Sequence, residues 1–148
     1  MGVILADLAD LDDHENDLQV NWWTWRPTAQ LIGRVLGLNS DAIERLQVNG
    51  VGAQISRRQA RRVAKHIRRQ LLPIMPPDSR LLLNGQVISQ PQPPTVHYTP
   101  DGPAAADTDG QSTRPLTTEE EFAIWSATSP WLDDFASFCE SCSGFIVY

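Results

Sequence analysis

The stretch VNWWTWRPTAQLI, residues 20–32, places three tryptophans within four residues and follows them with an Arg-Pro step and an apolar run. Apolar and polar side chains alternate over residues 17–25, with tryptophan on both faces of the pattern. We therefore predict a strand here that is covered on both sides. Pro27 fits the first turn of a helix, where its missing N–H is not needed, and apolar side chains at helical spacing continue to Leu38.

Two further helices are predicted from their start signals. A short helix begins at Asn39 or Ser40 and ends at Leu46. The step Ser129-Pro130 begins a last helix, in which three aromatic residues between positions 131 and 138 share one face. Gly144 is the predicted stop of that helix, because glycine is favoured just beyond a helix C-terminus.

A hairpin and a terminal strand complete the predicted elements. Residues 80–89, RLLLNGQVIS, indicate a β-hairpin in which Asn84 and Gly85 form a type I′ turn. The ending FIVY is apolar and β-branched enough for a strand that docks into a sheet. Residues 90–116 are rich in Pro, Gly, Asp, Ser and Thr, with few large apolar groups to offset ordering entropy. We predict a flexible connector over 90–116, inside one domain of residues 1–148.

The clearest helix covers residues 57–72, after a capping box formed by Ser56 and Gln59. Its apolar residues form one stripe, and seven cations fall on the opposite arc because successive residues are about 100° apart. These cations are Arg57, Arg58, Arg61, Arg62, Lys65, Arg68 and Arg69. Like charges three or four residues apart cost about 0.2–0.5 kcal/mol per pair, so this face needs partners from outside the helix.

The charge of the chain is strongly segregated. The net charge is −6, yet residues 45–77 hold seven Arg, one Lys and no acid, and all 18 acidic residues lie outside them. Three partners for the basic helix stay open, namely acids of the same fold, nucleic-acid phosphates and an acidic protein. The pI near 4.9 is unlike that of domains that bind nucleic acid through charge.

The five tryptophans come from the two ends of the chain. Burying them together would supply much of the core of a small domain, which is the interpretation we favour. The alternative is a stacking platform for bases or a hot spot for a protein partner, since tryptophan and arginine are common in both. Trp25 and Arg26 are the residues that would serve either use.

No motif indicates catalysis or a metal. Cys139 and Cys142 form a lone CxxC at a helix C-terminus, where the dipole does not activate a thiol, and the three histidines are scattered, so we predict buried, inert cysteines. Nucleophile-elbow, glycine-rich phosphate-loop and zinc-protease motifs do not occur in the sequence, so we predict no catalytic residues and no cofactor. Few cysteines, no signal peptide and no membrane-spanning apolar run indicate a cytoplasmic protein.

Both ends of the chain resemble one family. The block NWWTWRP and the ending WLDDFASFCESCSGF are similar to a family of small bacterial proteins that open with Asn-Trp-Trp-x-Trp-Arg-Pro and close with a Phe-rich helix and Ser-Gly-Gly-Phe. Here Cys142-Ser143-Gly144-Phe145 replaces that ending, and Val48-Asn49-Gly50 lacks the acid of the family's Asn-Asp-Gly turn. The resemblance implies an α+β domain and implies no activity.

The sequence therefore predicts an α+β fold. A small, mostly antiparallel sheet is built from the tryptophan strand, the hairpin and the C-terminal strand, and about four helices cover it. The expected function is that of a non-enzymatic cytosolic protein that binds another macromolecule, as a regulator, immunity protein or inhibitor of a bacterial system, and a protein is the partner we favour. The alternatives are nucleic-acid binding by the basic helix and an enzyme whose site the sequence does not reveal; the oligomeric state stays open.

Overall fold

A computed structural model gives the fold and describes residues 2–12, 15–48, 51–89, 96–100, 102–106, 113–115, 117 and 124–148. The α+β class is confirmed, with four α-helices and antiparallel sheets in the described residues. The helices are α1 Trp22–Leu36, α2 Ser40–Gln47, α3 Arg57–His66 and α4 Ser129–Ser141. The strands are β1 Gly2–Asp7, β2 Leu18–Asn21, β3 Gln54–Ser56, β4 Ser79–Leu82, β5 Val87–Ser89, β6 Val96–Thr99, β7 Gly102–Ala106, β8 Thr113–Pro115, β9 Ser126–Thr128 and β10 Gly144–Val147.

The described strands form three sheets. Their orders are β2-β1-β10-β3, β5-β4-β9 and β6-β7-β8. The C-terminal strand docks between β1 and β3, as predicted for a terminal strand. The hairpin β4–β5 does not join it, because the free edge of β4 is taken by β9, the strand that leads into α4. The prediction that the hairpin belongs to the same sheet as the C-terminal strand was therefore wrong.

One hydrophobic core runs from the first strand to the last. Along β1 the burial alternates, with Val3 and Leu5 facing inward and Ile4 outward. Leu5 lies opposite Val147 of β10, so the first sheet presents one apolar face to the helices. The helices cover that face with fully buried side chains such as Phe135 of α4. Strand β1 and strand β3 were not predicted.

The tryptophan stretch is helical, so the predicted strand over 17–25 is wrong beyond residue 21. Strand β2 ends at Asn21, whose side-chain oxygen accepts a 2.8 Å hydrogen bond from the N–H of Thr24. This cap starts α1 at Trp22, because it satisfies one of the donors that the first helical turn leaves unpaired. Pro27 consequently lies inside the helix, not in its first turn.

The capping box of α3 is confirmed. The N–H of Gln59 donates to Ser56 Oγ at 3.1 Å, and the N–H of Ser56 donates to Gln59 Oε1 at 2.9 Å. The helix then continues through a π turn, Ile67–Leu71, and a 3₁₀ turn, Leu72–Ile74. Helix α2 also begins where predicted, with Asn39 as its cap.

Two predicted turns differ in detail. In the hairpin the N–H of Gly85 donates to the carbonyl of Leu82 at 3.0 Å, so the central turn residues are Leu83 and Asn84. Gly85 follows the turn at φ 87°, a left-handed conformation that glycine adopts without strain. Gly144 does not stop α4 but begins β10 at φ 95°. A Cβ there would lie 2.7 Å from the carbonyl oxygen of Ile55, so the two strands approach too closely for a side chain.

The predicted connector contains secondary structure. Strands β6, β7 and β8 all fall within residues 90–116, and Ala104 and Ala105 are buried. Val96–Thr99 carries the β-branched and aromatic residues that favour strands, a local signal that the Pro- and Gly-rich composition obscured. The segment therefore contains regular structure, and its flexibility stays a prediction.

Candidate functional site

The structure divides five of the seven cations of the basic helix between two sides. One side faces α4. There Arg68 donates to the carboxylates of Asp133 and Glu140 and to the hydroxyl of Ser137. Arg61 donates to the backbone carbonyl of Cys139, one of the last four in α4, which lack an intrahelical donor. These two arginines are therefore paired within the fold and hold α4 against α3.

The other side of the basic helix opens onto a groove between α1 and α3, which we call the basic groove. Its volume is about 610 Å³. It is lined by Leu31, Arg34, Val35, Arg62, Lys65, His66, Arg69 and Gln70. No acidic residue of the described chain lines it. Four cations thus converge on one concavity that has no carboxylate among its described lining residues.

Arg34 is the cation of the groove that sequence reasoning missed. It comes from the last turns of α1 and donates to the carbonyl of Leu83 in the hairpin loop at 3.1 Å. Its guanidinium lies against Gly85, where a Cβ would stand 3.2 Å from the Arg34 Cζ. Partial burial lowers the pKa of Arg34, although a guanidinium keeps its charge at any physiological pH. The hairpin therefore fixes Arg34 at the groove.

His66 adds a titratable group to the same groove. It is the last residue of α3, and sequence reasoning did not assign it to the site. Burial lowers the pKa of His66, and the positive charge of Arg34 lowers it further. The imidazole is therefore neutral at pH 7, with one ring nitrogen as donor and the other as acceptor.

The π turn lies at the same groove. Regular helices rarely contain such turns, and they occur frequently at functional sites. Within this turn Arg68 points to α4, whereas Arg69 and Gln70 line the groove. The turn therefore supplies side chains to both sides of the basic helix.

The remaining predicted site residues lie elsewhere. Arg57 and Arg58, in the first turn of α3, are exposed and do not line the groove. Trp25 is fully buried, so it offers no binding surface, and its indole N–H donates to the carbonyl of Leu46 at 2.7 Å. Arg26 stacks over the ring of Trp125, with its Cζ 4.6 Å from the ring centroid, away from the groove. Proposing Trp25 as a binding residue was therefore wrong.

Three of the tryptophans connect helices through their indole N–H groups. The indole N–H of Trp22 donates to the carbonyl of Gln47 at 3.2 Å, beside the bond made by Trp25, so both tie α1 to the end of α2. Trp131 of α4 donates to the hydroxyl of Thr28 in α1 at 3.0 Å. The favoured interpretation of these rings as packing residues agrees with this geometry.

The cysteines are buried, as predicted. Cys139 has no exposed surface and Cys142 almost none, and burial is the main cause that raises the pKa of each thiol. Within the described ranges, no group of three histidines, cysteines or carboxylates is placed to hold a metal ion. Nor does any described helix have the length and apolarity needed to cross a membrane.

Comparison with models of protein families, with curated proteins and with solved structures finds no match to this chain. The resemblance of its two ends to a bacterial family therefore stays a prediction.

Proposed function

We propose that this chain is a non-enzymatic protein that binds an acidic segment of another protein in the basic groove, as a regulator, immunity protein or inhibitor does. The supporting observation is the convergence of Arg34, Arg62, Lys65 and Arg69 on one concavity with no described acid in its lining. Neighbouring like charges oppose the folded state unless something neutralises them. An acidic ligand would supply that neutralisation.

The surroundings of α3 favour a protein over nucleic acid. A nucleic-acid strand binds along an extended track of cations that contact successive phosphates. On the α4 side of the basic helix, Asp133 and Glu140 already occupy Arg68 and bring negative charge close to any such track. The groove also has an apolar part, formed by Leu31 and Val35, which can pack against the side chains of a peptide.

The test compares one short oligoglutamate peptide with random single-stranded and duplex DNA and RNA across a salt series. The groove variant is Arg62→Gln with Arg69→Gln. The matched control is Arg57→Gln with Arg58→Gln, which removes the same charge from the same helix outside the groove. Thermal melts of all three proteins verify that each is folded.

We expect the peptide to bind the wild type and the control, and to bind the groove variant at least about tenfold more weakly, as loss of charge-assisted hydrogen bonds implies. An equal loss of peptide affinity in both variants would show that only the net charge of the protein matters, and would overturn the proposal. Tighter binding of nucleic acid, with a steep salt slope that the groove variant flattens, would replace it with the nucleic-acid alternative. Absence of peptide binding even at low salt would also refute it.

A further inference from the structure

We infer that the ligand group recognised in the basic groove is a phosphoryl group on a side chain of the protein partner; this inference rests on the proposed function. The groove gathers three guanidiniums and one ammonium from two helices. A single carboxylate brings one negative charge, whereas a phosphorylated side chain brings about −1.5 to −2 and three acceptor oxygens. A phosphoryl group therefore matches the charge and the donors of this groove better than any one acidic residue.

The arginines are suited to such a group by type and by placement. A guanidinium presents paired N–H donors that match two phosphoryl oxygens at once, and clusters of arginine are a recurrent mode of phosphopeptide recognition. Arg34 is already held in position by its hydrogen bond to Leu83 and its packing against Gly85. Because its conformation is fixed before the ligand arrives, less ordering entropy is lost on binding.

The size of the groove favours a phosphorylated residue over a free phosphate ion. About 610 Å³ lies within the range of sites that enclose drug-sized ligands, and an inorganic phosphate would leave most of it to water. Leu31 and Val35 line part of it, and these apolar side chains make no favourable contact with an inorganic anion. They would instead contact the residues that flank the phosphorylated one.

Binding of a phosphoryl group is expected to change the pKa of His66, which lies in the same groove. Burial and then Arg34 lower the pKa of its imidazole in the free protein, so the ring is neutral beside the cations of the groove. Arg34, Arg62, Lys65 and Arg69 are the charged groups that share the groove with it, from α1, α3 and the π turn. A bound dianion offsets their field, so the pKa of His66 has to rise when the phosphopeptide binds.

The experiment uses three peptides of one neutral sequence, with serine, glutamate or phosphoserine at the centre, and inorganic phosphate as a separate probe. Binding is measured for the wild type, for Arg62→Gln and for Arg34→Gln, with Arg58→Gln as the matched control outside the groove. The pKa of His66 is followed by NMR with and without the phosphopeptide. Arg62 is exposed, so its variant is expected to fold even if Arg34→Gln disturbs the hairpin.

We expect phosphoserine to bind about tenfold or more tightly than glutamate, to lose that advantage in Arg62→Gln but not in Arg58→Gln, and to raise the pKa of His66. Equal binding of the glutamate and phosphoserine peptides would overturn this inference and leave the proposed function standing. If inorganic phosphate displaces the phosphopeptide with equal affinity, the groove is a site for the free ion and the inference fails. If none of the three peptides binds, the inference fails, whereas the proposed function fails only if the oligoglutamate peptide does not bind either.

Discussion

Replacing Trp25 by phenylalanine measures how much the tryptophan stretch contributes to the core. Trp25 has no exposed surface, and its indole N–H donates to the carbonyl of Leu46 at 2.7 Å. That carbonyl is one of the last four of α2, which have no donor within the helix. Phenylalanine keeps the edge-on contact with Phe135, whose ring centroid lies 6.1 Å away, but removes the donor and part of the ring.

The magnitude has two parts. A buried carbonyl that loses the donor paired with it costs about 1–3 kcal/mol. The space left by the smaller ring adds about 1 kcal/mol, because the surroundings of a removed group relax only partially. We therefore expect Trp25→Phe to lower the free energy of unfolding by about 2–4 kcal/mol, a large part of the 5–15 kcal/mol typical of a domain.

Trp22→Phe is the matched control on the same helix. Its indole N–H donates to the next carbonyl, that of Gln47, at 3.2 Å, and the side chain is only partly buried. Water can replace that donor, so the expected loss is about 1 kcal/mol or less. Urea denaturation followed by circular dichroism gives both values from the midpoint and slope without relying on tryptophan fluorescence. Equal losses in the two variants would refute the assignment of Trp25 as the buried anchor.

The remaining predictions concern packing, pH and the connector. Gly33→Ala should destabilise the fold by about 1–3 kcal/mol, because the new Cβ would clash with the side chain of Ile43, and adding Ile43→Ala should recover part of the loss in the same urea assay. Because the folded-state pKa of His66 is lowered, the unfolded chain binds a proton first, so stability should fall as the pH drops from about 6.5 through the folded pKa; His66→Gln should flatten that part of the profile in melts across pH. Replacing residues 90–116 by a Gly/Ser linker should leave the melting temperature within a few degrees, whereas loss of cooperative unfolding would show that the buried Ala104 and Ala105 belong to the core.

Local signals predicted the helices that depend on local contacts. Ser56 and Gln59 bond each other within one turn, so α3 could be located from four consecutive residues. The strand predicted over 17–25 was wrong because the structure of this stretch also depends on residues distant in the sequence. Its alternating pattern over 17–25 is compatible with a strand, and the decision for a helix at Trp22 comes from the Asn21 cap together with the distant carbonyls of α2 that the indoles contact.

The missed strands depend on partners far away in the sequence. Strand β3 has three residues and no pattern of its own, and it exists because β10 pairs with it. The place of the hairpin was misjudged likewise, since the strand that joins β4 is β9, close to α4. Such pairings depend on how the whole chain packs, and short stretches of sequence carry no signal for that packing.

The sequence predicted the cations of the basic helix but not the elements that pack on either side of it. Spacing alone placed seven cations on one arc of the basic helix, but it could not tell which neighbour each side of the arc would meet. The structure puts α4, with Asp133 and Glu140, on one side and α1, with Arg34, on the other. Arg34 stands alone in an otherwise apolar stretch of α1, so only the packing of two helices reveals it as part of the groove.

The unequal division of these cations is the main argument that the groove serves a ligand. Arg68 shows that this fold can supply acids where a cation needs pairing, since two carboxylates reach it from one helix. The chain contains 18 acidic residues, yet none of those described lines the groove where Arg34, Arg62 and Lys65 meet. A purely structural basic helix would be more stable with acids on both sides, because each unrelieved like-charge pair costs free energy. The repulsion among the cations of the basic groove is therefore not relieved by the described residues that line it. An anion supplied by a partner would offset that repulsion.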